Sequence, residues 1–142
     1  MSFYPLEHET LELALSGNLM RVPTDKFLSF EAGVPLEIFV FILAVAAGFP
    51  DDLTRQYGQR LLAGTAKAIR RLGERGIEIA GIYATSRYPA GIRLCRKLGM
   101  VEKPIESEKG RSSFSLDMRT SDSLLVEEYR EGLAEFKREQ NR

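Results

Sequence analysis

The sequence predicts a mixed α/β fold, with parallel central strands in a sheet between two layers of helices. Residues 36–46 are rich in Ile, Phe and Val and nearly free of polar groups, which is typical of a strand covered on both faces. A long amphipathic helix pattern follows at 51–75, and a second strand pattern at 77–84. Because a strand that follows a crossover helix lies parallel to the strand before it, we expect these two strands to be parallel.

Length and composition predict a single domain. The chain has 142 residues and 44% hydrophobic content, enough for one core and too little for two ordinary domains. We divide it into an N-terminal part (1–35), a core (36–118) and a C-terminal helix (121–140).

The N-terminal part has the weakest pattern. Residues 7–15 fit either a strand or a short helix with Gly17 just past its end, and we favour the helix. Residues 26–30 alternate as a strand does. His8 is the only histidine, and we expect it at the surface without a metal.

The long helix begins after Pro50, where Asp51 and Asp52 suit the first turn of a helix. Its apolar residues recur at three- and four-residue steps, which places one stripe against the sheet. We expect the helix to end at Gly73 and Gly76.

The remaining elements follow from similar signals. Pro89 suits the first turn of a short helix, on which Ile92, Cys95 and Leu98 form an apolar stripe. Strands are predicted at 101–105 and 112–118 around a polar turn at 106–110. A capping cluster at 121–123 then precedes a charged helix whose apolar face comprises Leu125, Tyr129, Leu133 and Phe136.

Cysteine content and hydropathy predict a cytoplasmic protein without a membrane segment. One cysteine cannot form an internal disulfide, and the chain lacks the basic n-region, apolar h-region and small-residue cleavage site of a secretory leader. The longest apolar run, 38–47, is far shorter than the ~20 residues of a membrane-spanning helix.

The zero net charge conceals a basic centre. Residues 1–52 contain eight acidic and two basic side chains, whereas 53–100 contain ten basic and two acidic ones. The basic centre suits an anionic ligand. Alternatively, its arginines are only the solvent-exposed side chains on the outer faces of two helices. Nucleic acid is disfavoured because the arginines are spread around two helices and form no RNA- or DNA-binding signature with aromatic side chains.

Residues 82–100 resemble the second half of the GNAT superfamily, the acyl-CoA-dependent N-acyltransferases. In that superfamily a strand ending in small or polar residues leads into a helix closed by a Lys-Leu-Gly turn, which here is Lys97-Leu98-Gly99 before Met100. The resemblance covers about 36–118 and implies a GNAT-like fold. A full domain of that superfamily has a strand, two helices and two more strands before its central strand, so residues 1–35 correspond to a shortened version of that part.

The resemblance implies that acetyl-CoA or another acyl-CoA is the cofactor. The superfamily holds the diphosphate at a helix start, in a loop of Arg or Gln, two residues, Gly, one residue, then Gly or Ala. Here only Gly58 is kept in one register, with Leu53 and Gln56 at the first two signature positions. A second register keeps Arg55 and Gly58 but places Arg60 where a small residue belongs. The implied cofactor-binding residues are Leu43, Ala44, Val45, Arg55, Gln56, Tyr57, Gly58, Gln59, Arg60 and Tyr88.

For catalysis, Cys95 takes the position at which relatives carry a tyrosine that protonates the leaving thiolate. A thiol is able to donate this proton, but a free cysteine on an apolar stripe is usually a small packing residue. Both interpretations of Cys95 stay open at this stage.

The resemblance therefore implies an N-acetyltransferase-type domain that binds acyl-CoA and transfers the acyl group to an amine. The alternative is an inactive, truncated interaction module. We expect a homodimer in both cases, because an uncovered sheet edge favours association. The acceptor is not specified by the sequence.

Overall fold

The computed structural model describes residues 2–16, 24–41, 50–103 and 110–142. These residues form five strands and four α-helices, which confirms a mixed α/β fold. In chain order the elements are β1 (Ser2–Leu6), α1 (His8–Leu15), β2 (Leu36–Phe41), α2 (Asp51–Glu74), β3 (Ile79–Ser86), α3 (Pro89–Lys97), β4 (Val101–Lys103), β5 (Ser112–Asp117) and α4 (Leu124–Gln140).

The strands form one mixed sheet in the order β1-β2-β3-β5-β4. The central strands β2 and β3 are parallel, with Ile38 opposite Ile82 and Val40 opposite Ala84. The other three pairings, β1 with β2, β3 with β5 and β4 with β5, are antiparallel. The predicted parallel pair is confirmed.

Helices cover both faces of the sheet. Ile38 and Val40 belong to the larger core cluster, which also contains residues of α2, α3 and α4. Phe39 points to the opposite face and packs in a smaller cluster with Leu11 and Leu15 of α1. Strand β2 is therefore apolar on both sides because each side meets a helix layer.

Helices α2 and α4 approach each other closely through two glycines. A Cβ at Gly73 would lie 2.6 Å from the carbonyl oxygen of Tyr129, and a Cβ at Gly132 would collide with the carbonyl oxygen of Arg70. Only glycine allows backbones to come this near. Gly73 therefore makes a helix contact one residue before α2 ends at Glu74. Gly76 follows that end with a φ of 71°, so the predicted end of the helix between Gly73 and Gly76 is confirmed.

One arginine joins the exposed sides of the same two helices. The Arg70 guanidinium contacts the carboxylates of four glutamates at 2.5 to 3.2 Å: Glu74, Glu128, Glu131 and Glu135. These bonds raise the pKa of Arg70. Tyr129 joins α4 to the sheet, because its hydroxyl donates to the Ile77 carbonyl at 2.8 Å and accepts from the Ile79 N–H at 2.9 Å.

The N-terminal part contains one confirmed and one wrong prediction. Residues 8–15 are helical, as favoured. The strand predicted at 26–30 is wrong: Thr24–Lys26 form a short 3-10 turn, and Phe27 makes only an isolated bridge to Leu6. The apolar residue at position 27 has a different role. The Phe27 ring stacks on the Tyr4 ring, with 4.6 Å between the two ring centroids.

Other element ends differ slightly from prediction. Strand β3 begins at Ile79 and not at Ile77, which forms an isolated bridge to Ala32. The predicted strand residues 42–46 and 104–105, Gly17 and most of the turn at 106–110 lie outside the described residues. Of the helices that the structure describes, none has the length and apolar character required to span a bilayer.

Candidate functional site

The carboxyl edge of the parallel pair β2–β3 is the first candidate site. Ligands of open α/β sheets bind outside the carboxyl ends of parallel strands. Here β3 ends at Ser86 and α3 starts at Pro89, while α2 starts at Asp51 after the segment that follows β2. Both helices thus follow strands that end at this edge.

The turn between β3 and α3 is held by Ser86. Its buried hydroxyl accepts a hydrogen bond from the Tyr88 N–H at 3.2 Å and donates to the Tyr88 carbonyl at 3.3 Å. The Tyr88 side chain is 59% exposed, and the Arg87 guanidinium lies 5.7 Å from its ring centroid. An exposed aromatic ring and a cation therefore lie together at this edge.

Gly58 does not lie at a helix start. Helix α2 runs without a break from Asp51 to Glu74, so Gly58 is an interior residue whose N–H bonds to the carbonyl four residues earlier. The helix amides without an intrahelical partner belong to its first turn. The expectation of free amides near Gly58 is therefore wrong.

The residues around Gly58 lie at the helix surface. Arg55, Gln56, Tyr57, Gln59 and Arg60 are all exposed, and among the described residues no atom beyond the helix lies within 4 Å of a Cβ built at Gly58. The structure thus presents this segment as a helix surface with two arginines and not as a loop. Leu43, Ala44 and Val45 lie outside the described residues.

Cys95 is fully buried in the larger core cluster, with 0% exposure. Burial in this apolar environment raises the pKa of its thiol to about 12. The thiol is therefore protonated at neutral pH and packed against other core residues. This environment agrees with the interpretation of Cys95 as a packing residue. The thiol is not exposed to a ligand.

A second polar group lies on the other face of the sheet, beside α1. The Glu37 carboxylate lies 2.9 Å from His8 Nδ1 and accepts a hydrogen bond from the Tyr83 hydroxyl at 3.2 Å. The Lys103 ammonium lies 5.2 Å from the Tyr83 ring centroid. We call His8, Glu37, Tyr83 and Lys103 the α1-face cluster.

Gly81 makes this arrangement possible. A Cβ at Gly81 would lie 2.8 Å from the Tyr83 hydroxyl and 2.9 Å from a ring carbon, so the ring lies directly over the glycine. Gly81 is also the strand partner of Glu37 and of Asp117. The Tyr83 ring therefore lies over a glycine whose partners on the two neighbouring strands are Glu37 and Asp117.

The environment of the cluster alters two pKa values. Burial, followed by the charge of Glu37, raises the pKa of Tyr83 to about 12. The hydrogen bond to Glu37 raises the pKa of His8, which is exposed as expected. Of the cluster, sequence analysis named only His8, as a surface residue, but Glu37 carried a signal as a carboxylate in an otherwise apolar strand.

Two cavities are lined by residues that the structure describes. One of about 280 Å³ is almost wholly apolar and lies between α2, α3 and the start of α4, lined by Leu62, Ala63, Ala66, Lys97, Leu98, Leu124 and Leu125. The other, of about 220 Å³, adjoins the α1-face cluster and is lined by Ala80, Tyr83, Lys103, Ser115, Leu116 and Asp117.

The described residues contain no group of three or more His, Cys, Asp or Glu side chains that is able to hold a metal ion. Comparisons with protein-family models, curated proteins and solved structures gave no significant match. Function has to be argued from the two sites themselves.

Proposed function

We propose that the chain is a GNAT-like domain that binds acetyl-CoA or another acyl-CoA at the carboxyl edge of β2–β3. The observation that carries the proposal is the parallel pair itself, joined through α2 and followed directly by α3. This is the order of elements that the resemblance at 82–100 implies. Since a fold hosts many functions, the residues at the edge have to support the ligand as well.

The residues at this edge are better suited to bind a diphosphate through their side chains than through the backbone amides near Gly58. The first turn of α2 carries Asp51 and Asp52, whose charges oppose an anion at that helix start. Arg55 and Arg60 are exposed on the same helix, and the first turn of α3 has no acidic residue. We therefore assign phosphate binding to Arg55 and Arg60, with Tyr88 exposed at the start of α3.

A bound acyl-CoA would supply the activated thioester. The chain's own contribution is to hold the phosphates with Arg55 and Arg60, while the resemblance assigns the thioester oxygen to the backbone at Leu43, Ala44 and Val45. Acyl transfer would proceed to an amine. The buried Cys95 has no part in the step that we propose.

Calorimetric titration with acetyl-CoA and with free CoA tests the binding claim. We expect Gly58→Glu to weaken affinity by at least about tenfold, because it adds a carboxylate one helical turn from Arg55. The matched control is Gly58→Gln, which adds the same bulk without charge at a position where no atom of the described residues beyond the helix lies within 4 Å. Circular dichroism checks that both variants stay folded.

A second pair of variants tests the arginines. Arg55→Glu with Arg60→Glu is expected to abolish the signal, whereas Arg71→Glu, at an exposed position nearer the end of the same helix, leaves it unchanged. No heat with either ligand, or equal losses in Gly58→Glu and Gly58→Gln, would overturn the proposal.

A non-catalytic interaction module is the second candidate. It is favoured by the burial of Cys95, which removes the residue at the general-acid position from any surface. If CoA binds but no free thiol is released with any amine tested, the domain is a binding module without transferase activity. Cys95→Ala then serves as a control, with reduced stability and unchanged CoA affinity expected.

A further inference from the structure

The cavity beside the α1-face cluster lies on the sheet face opposite α2. Its lining residue Tyr83 is three residues before the end of β3 at Ser86, which corresponds to about 10 Å at roughly 3.3 Å per residue. The cavity shares no residue with the proposed CoA site. What it binds is therefore a separate question.

Opposite charges line this cavity without pairing to each other. Lys103 of β4 and Asp117 of β5 are both lining residues, yet no ion pair joins them. Among the described residues, no carboxylate lies within ion-pair distance of the Lys103 ammonium, which rests over the Tyr83 ring at 5.2 Å. A ligand with both charges would complement both groups.

The floor of the cavity is held in place. The Tyr83 ring lies over Gly81, and its hydroxyl is hydrogen-bonded to Glu37, which in turn is bonded to His8. Ser115, the strand partner of Tyr83, lines the cavity beside it. A wall whose side chains are already positioned loses little conformational freedom when a ligand binds.

Asp117 is held as well. Its Oδ1 accepts a hydrogen bond from the Arg119 N–H at 2.8 Å, which fixes the carboxylate at the last residue of β5. A carboxylate has about four acceptor positions, so bonds to the turn leave capacity for an ammonium.

We propose that this cavity binds a small zwitterion, such as a free α-amino acid. Lys103 binds the ligand carboxylate and Asp117 binds the ligand ammonium. Tyr83 forms the floor beneath the ligand. The volume of about 220 Å³ limits the ligand to a small molecule.

Amide NMR titration tests this assignment with L-leucine as the probe, up to about 10 mM, which covers weak millimolar binding. We expect saturable shifts at the amides of Gly81 and Ser115. N-acetyl-L-leucine lacks the ammonium and L-leucine amide lacks the carboxylate. Each is expected to bind at least about tenfold more weakly, because one charge-assisted contact is lost.

Variants connect the shifts to the cavity. Lys103→Met is expected to weaken L-leucine binding by at least about tenfold, while Lys97→Met, which removes a lysine on α3, leaves it unchanged. Gly81→Ala is expected to displace the Tyr83 ring and to weaken L-leucine binding, although the charges of Lys103 and Asp117 are unchanged.

Three results would overturn the assignment: no shifts with L-leucine, equal binding of the two blocked analogues and L-leucine, or equal affinity of Lys103→Met and Lys97→Met. Because the CoA variants are on α2 and these are on the opposite sheet face, failure of one proposal is distinguishable from failure of the other.

Discussion

Glu37 shows how a single residue departs from the pattern of its strand. It is the one charged residue of β2, where its neighbours Ile38, Phe39 and Val40 are buried. Its carboxylate is retained because two partners meet it, the Tyr83 hydroxyl and His8. A carboxylate placed among apolar residues is tolerated when hydrogen bonds replace its contacts with water.

The single histidine makes this contact measurable. We expect the His8 imidazole to titrate above the ordinary value of about 6.5, since Glu37 and Glu12 raise its pKa and outweigh the opposing effects of Lys103 and burial. NMR titration of the one imidazole signal gives the midpoint. Glu37→Gln is expected to lower this midpoint toward the ordinary value.

The raised pKa of His8 determines how its contribution to the free energy of unfolding depends on pH. Because the pKa of His8 is raised in the folded state, its contribution is fully present below the unfolded pKa and is lost as pH rises through the folded pKa. His8→Gln should remove that dependence from urea unfolding curves. A midpoint at or below the ordinary value would contradict the contact with Glu37.

At the scale of elements, α2 and α4 show that glycines of one helix have different roles. In the part of the chain that the structure describes, no atom beyond the helix lies within 4 Å of a Cβ built at Gly58 or Gly64, whereas Gly73 lies against the backbone of α4. On α4, Gly132 makes the reciprocal contact with Arg70 and Glu74 of α2. Glycine destabilises the interior of a helix. Its presence at these contacts is explained by the lack of space for a Cβ.

Two alanine substitutions separate these roles. Gly64→Ala is expected to raise the free energy of unfolding by about 0.5 to 1 kcal/mol, because alanine is the better helix former and the site is open. Gly132→Ala is expected to lower it by about 1 to 3 kcal/mol, the usual cost of overpacking. Urea unfolding measures both, and changes of the same sign would show that the close helix contact is absent.

At the scale of the molecule, the described sheet ends at β1 and β4. Edge strands offer unpaired backbone groups to another chain. Val101 of β4 is 68% exposed, and Leu124 beside the apolar cavity is 69% exposed. These exposed apolar residues make self-association the expected behaviour of the isolated chain.

We propose a homodimer formed through the β4 edge. Sedimentation at concentrations on the order of tens of micromolar should give a dimer. Val101→Lys should shift it toward monomer, because a charge on an edge strand opposes strand pairing. Val34→Lys, at a 52% exposed position outside the strands, is the control. A monomeric native chain at these concentrations would contradict the proposal.

The sequence by itself determined the elements whose periodicity is local, the amphipathic helices that became α2 and α4. The parallel arrangement of β2 and β3 followed from the rule for strands joined by a crossover helix. Apolar spacing along one segment reports which face of that segment is buried, and this does not require knowledge of its neighbours.

The tertiary structure alone decided that Gly73 is a helix contact and that Glu37 contacts Tyr83 and His8. Glu37 is 46 residues from Tyr83 and 29 from His8 in sequence. Such contacts depend on how the sheet orders its strands and where helices cross them. Periodicity within one segment carries no information about residues so far apart, so only the packed chain brings them together.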